Sequence, residues 1–148
     1  MEEGVSSMGR LDDRVAIVTG GGRGIGQATS LRLAADGASV VVNDIDDAPA
    51  NETVALIEAA GGKAIACVAN TVEMAQAERL VQAAVDAYGK IDIIVNNAGV
   101  TRDKMFHGLD DAQFDFVFDA NLKTGFHTTL AAMPYLREVA KKEIAENG

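Results

Sequence analysis

The stretch "RVAIVTGGGRGIG", residues 14–26, decides how this chain folds. Its first part, residues 14–19, is a short apolar run rich in β-branched side chains, which predicts a buried strand. A glycine-rich turn follows at residues 19–26, and residues 24–36 then place apolar side chains at helical spacing. A buried strand, a glycine turn and a helix in this order predict the start of a β-α-β unit with a phosphate-binding loop.

Apolar runs and helical stretches continue to alternate along the chain. Near-continuous apolar strands that alternate with helices indicate a parallel sheet covered on both faces. We therefore predict an α/β protein with a Rossmann-like doubly wound sheet in the strand order 3-2-1-4. The later predicted strands are residues 39–44, 63–69 and 91–99, and the later predicted helices are residues 46–62, 72–89 and a mostly helical segment from residue 110.

Helix ends are marked by residues with specific backbone or capping chemistry. Asp46 or Asp47 is the predicted N-cap of the second helix, and Asp110 with Gln113 resembles a capping box before the long final segment. Pro134 predicts a kink or a restart within that segment. Three glycines are placed to end the first three helices: Gly37, Gly61 and Gly89.

Composition limits the function classes. The 148 residues suit one domain, which we place at residues 10–148 after a flexible tail at residues 1–9. The net charge of −9 argues against nucleic-acid binding through a basic patch. No apolar run approaches the length of a membrane helix, no signal peptide is recognisable, and the single cysteine, Cys67, excludes an internal disulfide. We expect a cytosolic protein without a metal site.

The glycine loop predicts a nucleotide ligand. Glycines at this position let backbone N–H groups approach a diphosphate at a helix N-terminus. The spacing Gly20-x-x-x-Gly24-x-Gly26 is neither G-x-G-x-x-G nor a P-loop. Asp44 closes the second predicted strand, where an acid can bind ribose hydroxyls and repel a 2′-phosphate, which favours NAD. Arg23 is a cation that can contact a 2′-phosphate, so NADP stays the alternative.

Four motifs together resemble the short-chain dehydrogenase/reductase family: "TGGGRGIG", "VVVNDI", "IDIIVNNAG" and "NLKTGF". They occur in the family's order, from about residue 10 to the C-terminus. The segment "NNAGVTRDKMFHGLDDAQFD" is most similar to the branch that contains 3-oxoacyl-[acyl-carrier-protein] reductases. The resemblance implies an oxidoreductase that transfers hydride between a nicotinamide cofactor and a carbonyl or alcohol substrate, and the branch implies 3-oxoacyl-thioester reduction.

The resemblance also implies roles for individual residues. Asp44 matches the acid that binds ribose, and Asn70 with Thr71 stands where the family has Asp-Val beside the adenine ring. Asn121 matches the catalytic asparagine, whose helix is locally bent and whose backbone holds a water for proton relay. The residues that the resemblance implies for cofactor binding are Gly20, Gly22, Arg23, Gly24, Ile25, Gly26, Asp44, Asn70, Thr71, Asn97, Ala98 and Gly99.

The family's serine and Tyr-x-x-x-Lys pair have no match in this sequence. Four places after Tyr88 stands Asp92, and four places after Tyr135 stands Val139. We therefore expect the N-terminal half of an enzyme, with later strands and catalytic residues missing, that is inactive alone. Expected partners are a second copy of the chain, as a dimer or tetramer, or a C-terminal fragment. The alternatives are a non-catalytic NAD(P)-binding module and, from another class, a methyltransferase.

Overall fold

Four parallel strands form the centre of the computed structural model, which describes residues 9–147. The strands are β1 (Val15–Val18), β2 (Ser39–Asp44), β3 (Lys63–Val68) and β4 (Ile93–Val95), and they lie in the order β3-β2-β1-β4. The predicted doubly wound sheet and its strand order are confirmed. The predicted tail at residues 1–9 lies outside the described residues except for Gly9, whose N–H donates to Asp12 Oδ2 at 2.7 Å.

Helices cover both faces of the sheet. They are α1 (Gly24–Ala35), α2 (Asp47–Ala59), α3 (Met74–Tyr88), α4 (Asp111–Phe118) and α5 (Thr124–Asn147). A 3₁₀ turn at Phe106–Gly108 precedes α4, and a π-helical segment at Asp119–Lys123 joins α4 to α5. Gly37 and Gly89 have φ of +105° and +79°, so both take the left-handed conformation that ends a helix, as predicted.

Neighbouring residues of each strand supply two separate cores. Ile17 and Val41 pack on one face of the sheet with residues of α3 and α5, whereas Val18 and Val40 pack on the other with residues of α1 and α2. All four side chains are fully buried. Each such side chain contributes about 1.5–3 kcal/mol to stability, so the apolar runs fix the sheet between its two helical layers.

The fourth strand is shorter than predicted. It spans only Ile93–Val95 because side chains take over the hydrogen bonds at both ends. At its start, Asp92 Oδ2 accepts from the Val15 N–H at 2.8 Å. At its end, the Asn97 N–H donates to the hydroxyl of Thr19 at 3.1 Å. Along the other edge of β4, no strand pairs with it within residues 9–147.

Two further predictions about the last segment need correction. Pro134 does not restart the helix, because α5 runs unbroken from Thr124 to Asn147 and is held by Ala132, Tyr135 and their neighbours against the core. Asp110 caps α4 as predicted, and its Oδ1 accepts from the Gln113 N–H at 2.8 Å. The reciprocal bond of a capping box is absent, since Gln113 Oε1 finds no donor among the described residues.

Candidate functional site

A cleft of about 630 Å³ opens at the carboxyl ends of the strands, between the glycine loop and the segment after β4. This is the edge of an open α/β sheet at which ligands bind. Ten of the thirteen predicted site residues line it: Gly20, Arg23, Ile25, Gly26, Asp44, Asn70, Thr71, Asn97, Ala98 and Gly99. The other three predicted residues, Gly22, Gly24 and Asn121, are not among the lining residues.

The glycine loop presents the start of α1 to this cleft. Gly20 and Gly24 have φ of +61° and +51°, a conformation that residues with a Cβ rarely adopt. Arg23 occupies the N-cap position of α1, and its side chain makes no capping hydrogen bond. The first backbone N–H groups of α1 therefore lack a side-chain acceptor, and a helix N-terminus in this state favours an anion.

Close packing holds the loop in place. A Cβ added to Gly26 would lie 2.0 Å from Gly20 O and 2.6 Å from Asn97 Nδ2. The Asn97 amide already donates to Thr19 O at 3.0 Å and to Gly20 O at 3.1 Å. Asn97 therefore ties the segment after β4 to the glycine loop, and only glycine fits at position 26.

The carboxylate of Asp44 is fixed at the end of β2. Its Oδ2 accepts from the Gly22 N–H at 3.1 Å, and its Oδ1 accepts from the Asp46 N–H at 3.1 Å. The residue is only 7% exposed, yet it lines the cleft. Gly22 therefore helps to hold the Asp44 carboxylate and is not part of the cleft wall. A Cβ at position 22 would lie 2.6 Å from Asp44 Oδ2.

Arg23 is bound to two acidic residues beside the cleft. Its Nη2 donates to Asp46 Oδ2 at 2.9 Å, and its Nη1 lies 3.9 Å from Asp44 Oδ1. Asp46 occupies the predicted N-cap position of α2 but makes no capping hydrogen bond with its side chain. The position was predicted correctly, while the capping role is wrong because the carboxylate faces Arg23.

Asn70 and Thr71 form the wall beyond β3. Asn70 Oδ1 accepts from the Val72 N–H at 3.2 Å, and the Asn70 N–H donates to Gln76 Oε1 at 2.7 Å. Thr71 is 3% exposed. The amide that replaces the family's carboxylate thus shapes the turn into α3 and still borders the cleft.

Asn121 stands in the π-helical segment, so the helix departs from regular α-helical hydrogen bonding at this residue. Its Nδ2 donates to Val100 O and to Val117 O, both at 2.8 Å. A Cβ added to Gly99 would lie 2.4 Å from Asn121 Oδ1. The side chain therefore fastens the loop after β4 to the helix, and the neighbouring residues Asp119 and Ala120 border the cleft.

Two residues that support the site were missed from the sequence. Thr19 Oγ1 accepts from the N–H groups of Asn97 and Ala98, both at 3.1 Å. Asn43 is buried and donates to Cys67 O and Ala69 O, both at 3.0 Å. The sequence feature that could have indicated both residues is their position at the carboxyl ends of β1 and β2. Further lining residues outside the prediction are Ile45, Ala69, Val72, Val100, Phe116, Asp119, Ala120 and Thr124.

Other candidate reactive groups lie outside the cleft lining. Burial raises the pKa of the Cys67 thiol, and burial also raises the pKa of Tyr88. Tyr135 is half-buried and packs against the core, and His107 is exposed on the 3₁₀ turn. The buried carboxylate of Asp92 holds the start of β4. No cluster of three metal-ligating side chains occurs within residues 9–147.

A family model and two known proteins match most of the chain. The family model described as short chain dehydrogenase matches residues 14–145. A 3-oxoacyl-[acyl-carrier-protein] reductase of Thermotoga maritima is 37% identical over 86% of this chain and 52% of its own length. A hydroxyacyl-CoA dehydrogenase of Mycobacterium tuberculosis is 42% identical over 93% of this chain and 44% of its own.

A solved structure gives the same result for the fold. The crystal structure of a short chain dehydrogenase from Mycobacterium avium superposes with a TM-score of 0.84 at 42% identity. The match covers 89% of this chain and 49% of that one. The chain thus spans about half the length of these relatives.

Proposed function

This chain belongs to the short-chain dehydrogenase family, and on that premise we propose that its cleft binds the nicotinamide dinucleotide of an oxidoreductase. The reaction transfers a hydride between the cofactor and a carbonyl or alcohol substrate. The observation that carries the proposal is one cleft in which the uncapped N-terminus of α1 meets a fixed carboxylate, Asp44.

The residues present fit such a cofactor. The volume of about 630 Å³ lies within the range of small-ligand sites. Gly20 and Gly24 have the backbone conformation that brings N–H groups close to a diphosphate. When bound, the nicotinamide supplies or accepts the hydride. The chain's own residues bind and orient: the start of α1 holds an anion, Asp44 accepts from ribose hydroxyls, and Asn97 keeps the loop in position.

We propose NAD rather than NADP as the cofactor. The carboxylate of Asp44 offers oxygen acceptors to the two ribose hydroxyls, and its negative charge repels a phosphate on one of them. Burial and two backbone N–H donors keep this carboxylate from moving aside. Replacing Asp44 with alanine should therefore lower the affinity for NADH and raise the affinity for NADPH.

We propose that the 148-residue polypeptide binds cofactor without completing the reaction. In the family, a tyrosine supplies the proton that accompanies the hydride, and a lysine four places later lowers the tyrosine pKa. Neither Tyr88 nor Tyr135 has that lysine. Asn121 is the residue we assign to the catalytic group. Measurable turnover by this polypeptide, free of any companion fragment, would contradict the proposal that it does not complete the reaction.

The substrate we propose is a 3-oxoacyl or 3-hydroxyacyl thioester. The support is the sequence resemblance around residues 96–115, together with two relatives whose names specify a 3-oxoacyl-[acyl-carrier-protein] reductase and a hydroxyacyl-CoA dehydrogenase. A panel of thioester and simple ketone substrates, offered to the complete enzyme, tests this proposal. A preference for the simple ketones would contradict it.

We also propose that a second copy of the chain covers an apolar face that runs along α4, the π-helical segment and α5. Exposed apolar side chains recur there about once per helical turn, and Phe114 stacks on Phe118 with ring centroids 6.0 Å apart. Light scattering should give at least twice the 15.5 kDa chain mass, and Leu122→Glu should reduce it. A monodisperse monomer would overturn the proposal. The face consists of Phe114, Phe118, Leu122, Phe126, Leu130 and Met133.

No helix within residues 9–147 is long and apolar enough to cross a membrane. The cytosolic location stays a prediction from the sequence.

The second candidate function is a binding module that holds the dinucleotide without catalysis. Titration of the protein with NADH and with S-adenosylmethionine separates both dinucleotide functions from a methyltransferase. We expect saturable binding of NADH only. Binding of S-adenosylmethionine alone would overturn the proposed function.

A further inference from the structure

We propose that Asp46 strengthens the preference of this site for NAD over NADP, because it binds Arg23 and thereby withholds that cation from a 2′-phosphate. The inference rests on the proposed dinucleotide function of the cleft. Asp46 is a positioning residue, since it acts through Arg23 and Asp44. It does not line the cleft itself, whereas both of those residues do.

The first support is the geometry of three side chains at the open end of β2. The guanidinium of Arg23 faces two carboxylates, with Asp46 Oδ2 at 2.9 Å from Nη2 and Asp44 Oδ1 at 3.9 Å from Nη1. One positive charge therefore stands against two negative charges. The group carries a net charge of −1 at the point where an adenosine ribose would meet Asp44.

The second support is that Asp46 makes no capping bond in a capping position. It stands directly before α2, where an aspartate side chain usually accepts from the helix's own N–H groups. Here the carboxylate binds Arg23, while the Asp46 backbone N–H donates to Asp44 Oδ1 at 3.1 Å. One residue thus orients both groups that discriminate between a ribose hydroxyl and a ribose phosphate.

The expected effect follows from charge. A phosphate monoester carries about −1.5 to −2 at pH 7 and is bound best by a guanidinium with free N–H donors. In the present arrangement, the Asp46 carboxylate occupies an N–H donor of Arg23. Asp46→Asn weakens the ion pair and releases Arg23, so a 2′-phosphate gains a cationic partner. Both side chains are more than half exposed, at 62% and 55%, so the effect is moderate in size.

The experiment measures dissociation constants of NADH and NADPH for the purified protein by calorimetry at low ionic strength. For Asp46→Asn, we expect the ratio of the NADPH constant to the NADH constant to fall roughly fivefold. The matched control is Asp47→Asn, which removes the same charge one position later. Asp47 is exposed and its Oδ1 accepts from Asn51 Nδ2. We expect that control to change the ratio by less than about twofold.

A double variant separates the role of Arg23 from the loss of charge alone. In the Arg23→Gln background, Asp46→Asn should leave the ratio unchanged within about twofold. The inference is overturned if Asp46→Asn and Asp47→Asn shift the ratio equally, or if the shift persists without Arg23. If the unchanged protein binds neither nucleotide, the proposed function fails and the inference fails with it. Normal binding with an unshifted ratio overturns the inference alone.

Discussion

Replacing Gly26 with alanine should weaken cofactor binding through the glycine loop. The added methyl carbon would stand 2.0 Å from Gly20 O and 2.6 Å from Asn97 Nδ2, far inside van der Waals contact. The first neighbour is backbone, and the second is held by hydrogen bonds of 3.0 and 3.1 Å to Thr19 O and Gly20 O. The loop therefore has to open at this point.

The magnitude follows from what the loop loses. Two hydrogen bonds contribute about 1 kcal/mol each, and overpacking costs about 1–3 kcal/mol. Alanine recovers about 1 kcal/mol of helix propensity, because Gly26 is the third residue of α1. We expect a loss of about 2–4 kcal/mol in the free energy of unfolding. If about 2 kcal/mol of loop distortion also opposes ligand binding, the NADH dissociation constant rises roughly 30-fold.

Urea denaturation and NADH calorimetry measure the two effects separately. The control is Gly108→Ala, because that glycine has no atom within 4 Å of an added Cβ and no positive φ. The control should change the free energy of unfolding by less than about 0.5 kcal/mol and leave binding intact. Wild-type NADH affinity in Gly26→Ala would refute the argument that this close contact shapes the site.

Three further outcomes are expected. Asp92→Asn should lower the free energy of unfolding by about 1–3 kcal/mol in urea titrations, because the buried carboxylate accepts from the Val15 N–H and the Arg14 guanidinium; unchanged stability would contradict that role. Burial raises the pKa of the Cys67 thiol, so at pH 8 Ellman's reagent should react with this thiol at least roughly tenfold more slowly in the folded chain than in the chain unfolded by urea. Equal reaction rates would contradict the burial of Cys67. Asn121→Ala should lower the melting temperature, since two carbonyl groups lose their 2.8 Å donor; calorimetry showing no shift would count against it.

The fold was readable from the sequence because its strands carry their signal locally. Residues 40–42 form a continuous valine run, and a strand buried on both faces favours such a run. The glycines at helix ends were readable for the same reason, since the left-handed conformation of Gly37 favours one residue type. The length of β4 was not readable, because Asp92 and Asn97 replace ladder hydrogen bonds with partners far along the chain.

The sequence predicts the site residues whose type is required by the local backbone conformation. It does not predict the residues whose role depends on a partner far along the chain. Gly20 and Gly26 are required by backbone conformation or close contact, and the pattern shows both. Thr19 acts on residues 78 and 79 positions away, and no local pattern indicates that contact. Asp46 looked like a helix cap, because the sequence does not show that Arg23 stands opposite it.

We propose that this cleft binds a nicotinamide dinucleotide with its ribose at Asp44 and its diphosphate at the start of α1. A crystal structure of the protein with NAD⁺ tests it most directly. We expect ribose oxygens within about 3.2 Å of the Asp44 carboxylate and diphosphate oxygens at hydrogen-bond distance from backbone N–H groups at the start of α1. A cleft left empty at saturating NAD⁺, or a nucleotide bound elsewhere on the chain, would contradict it.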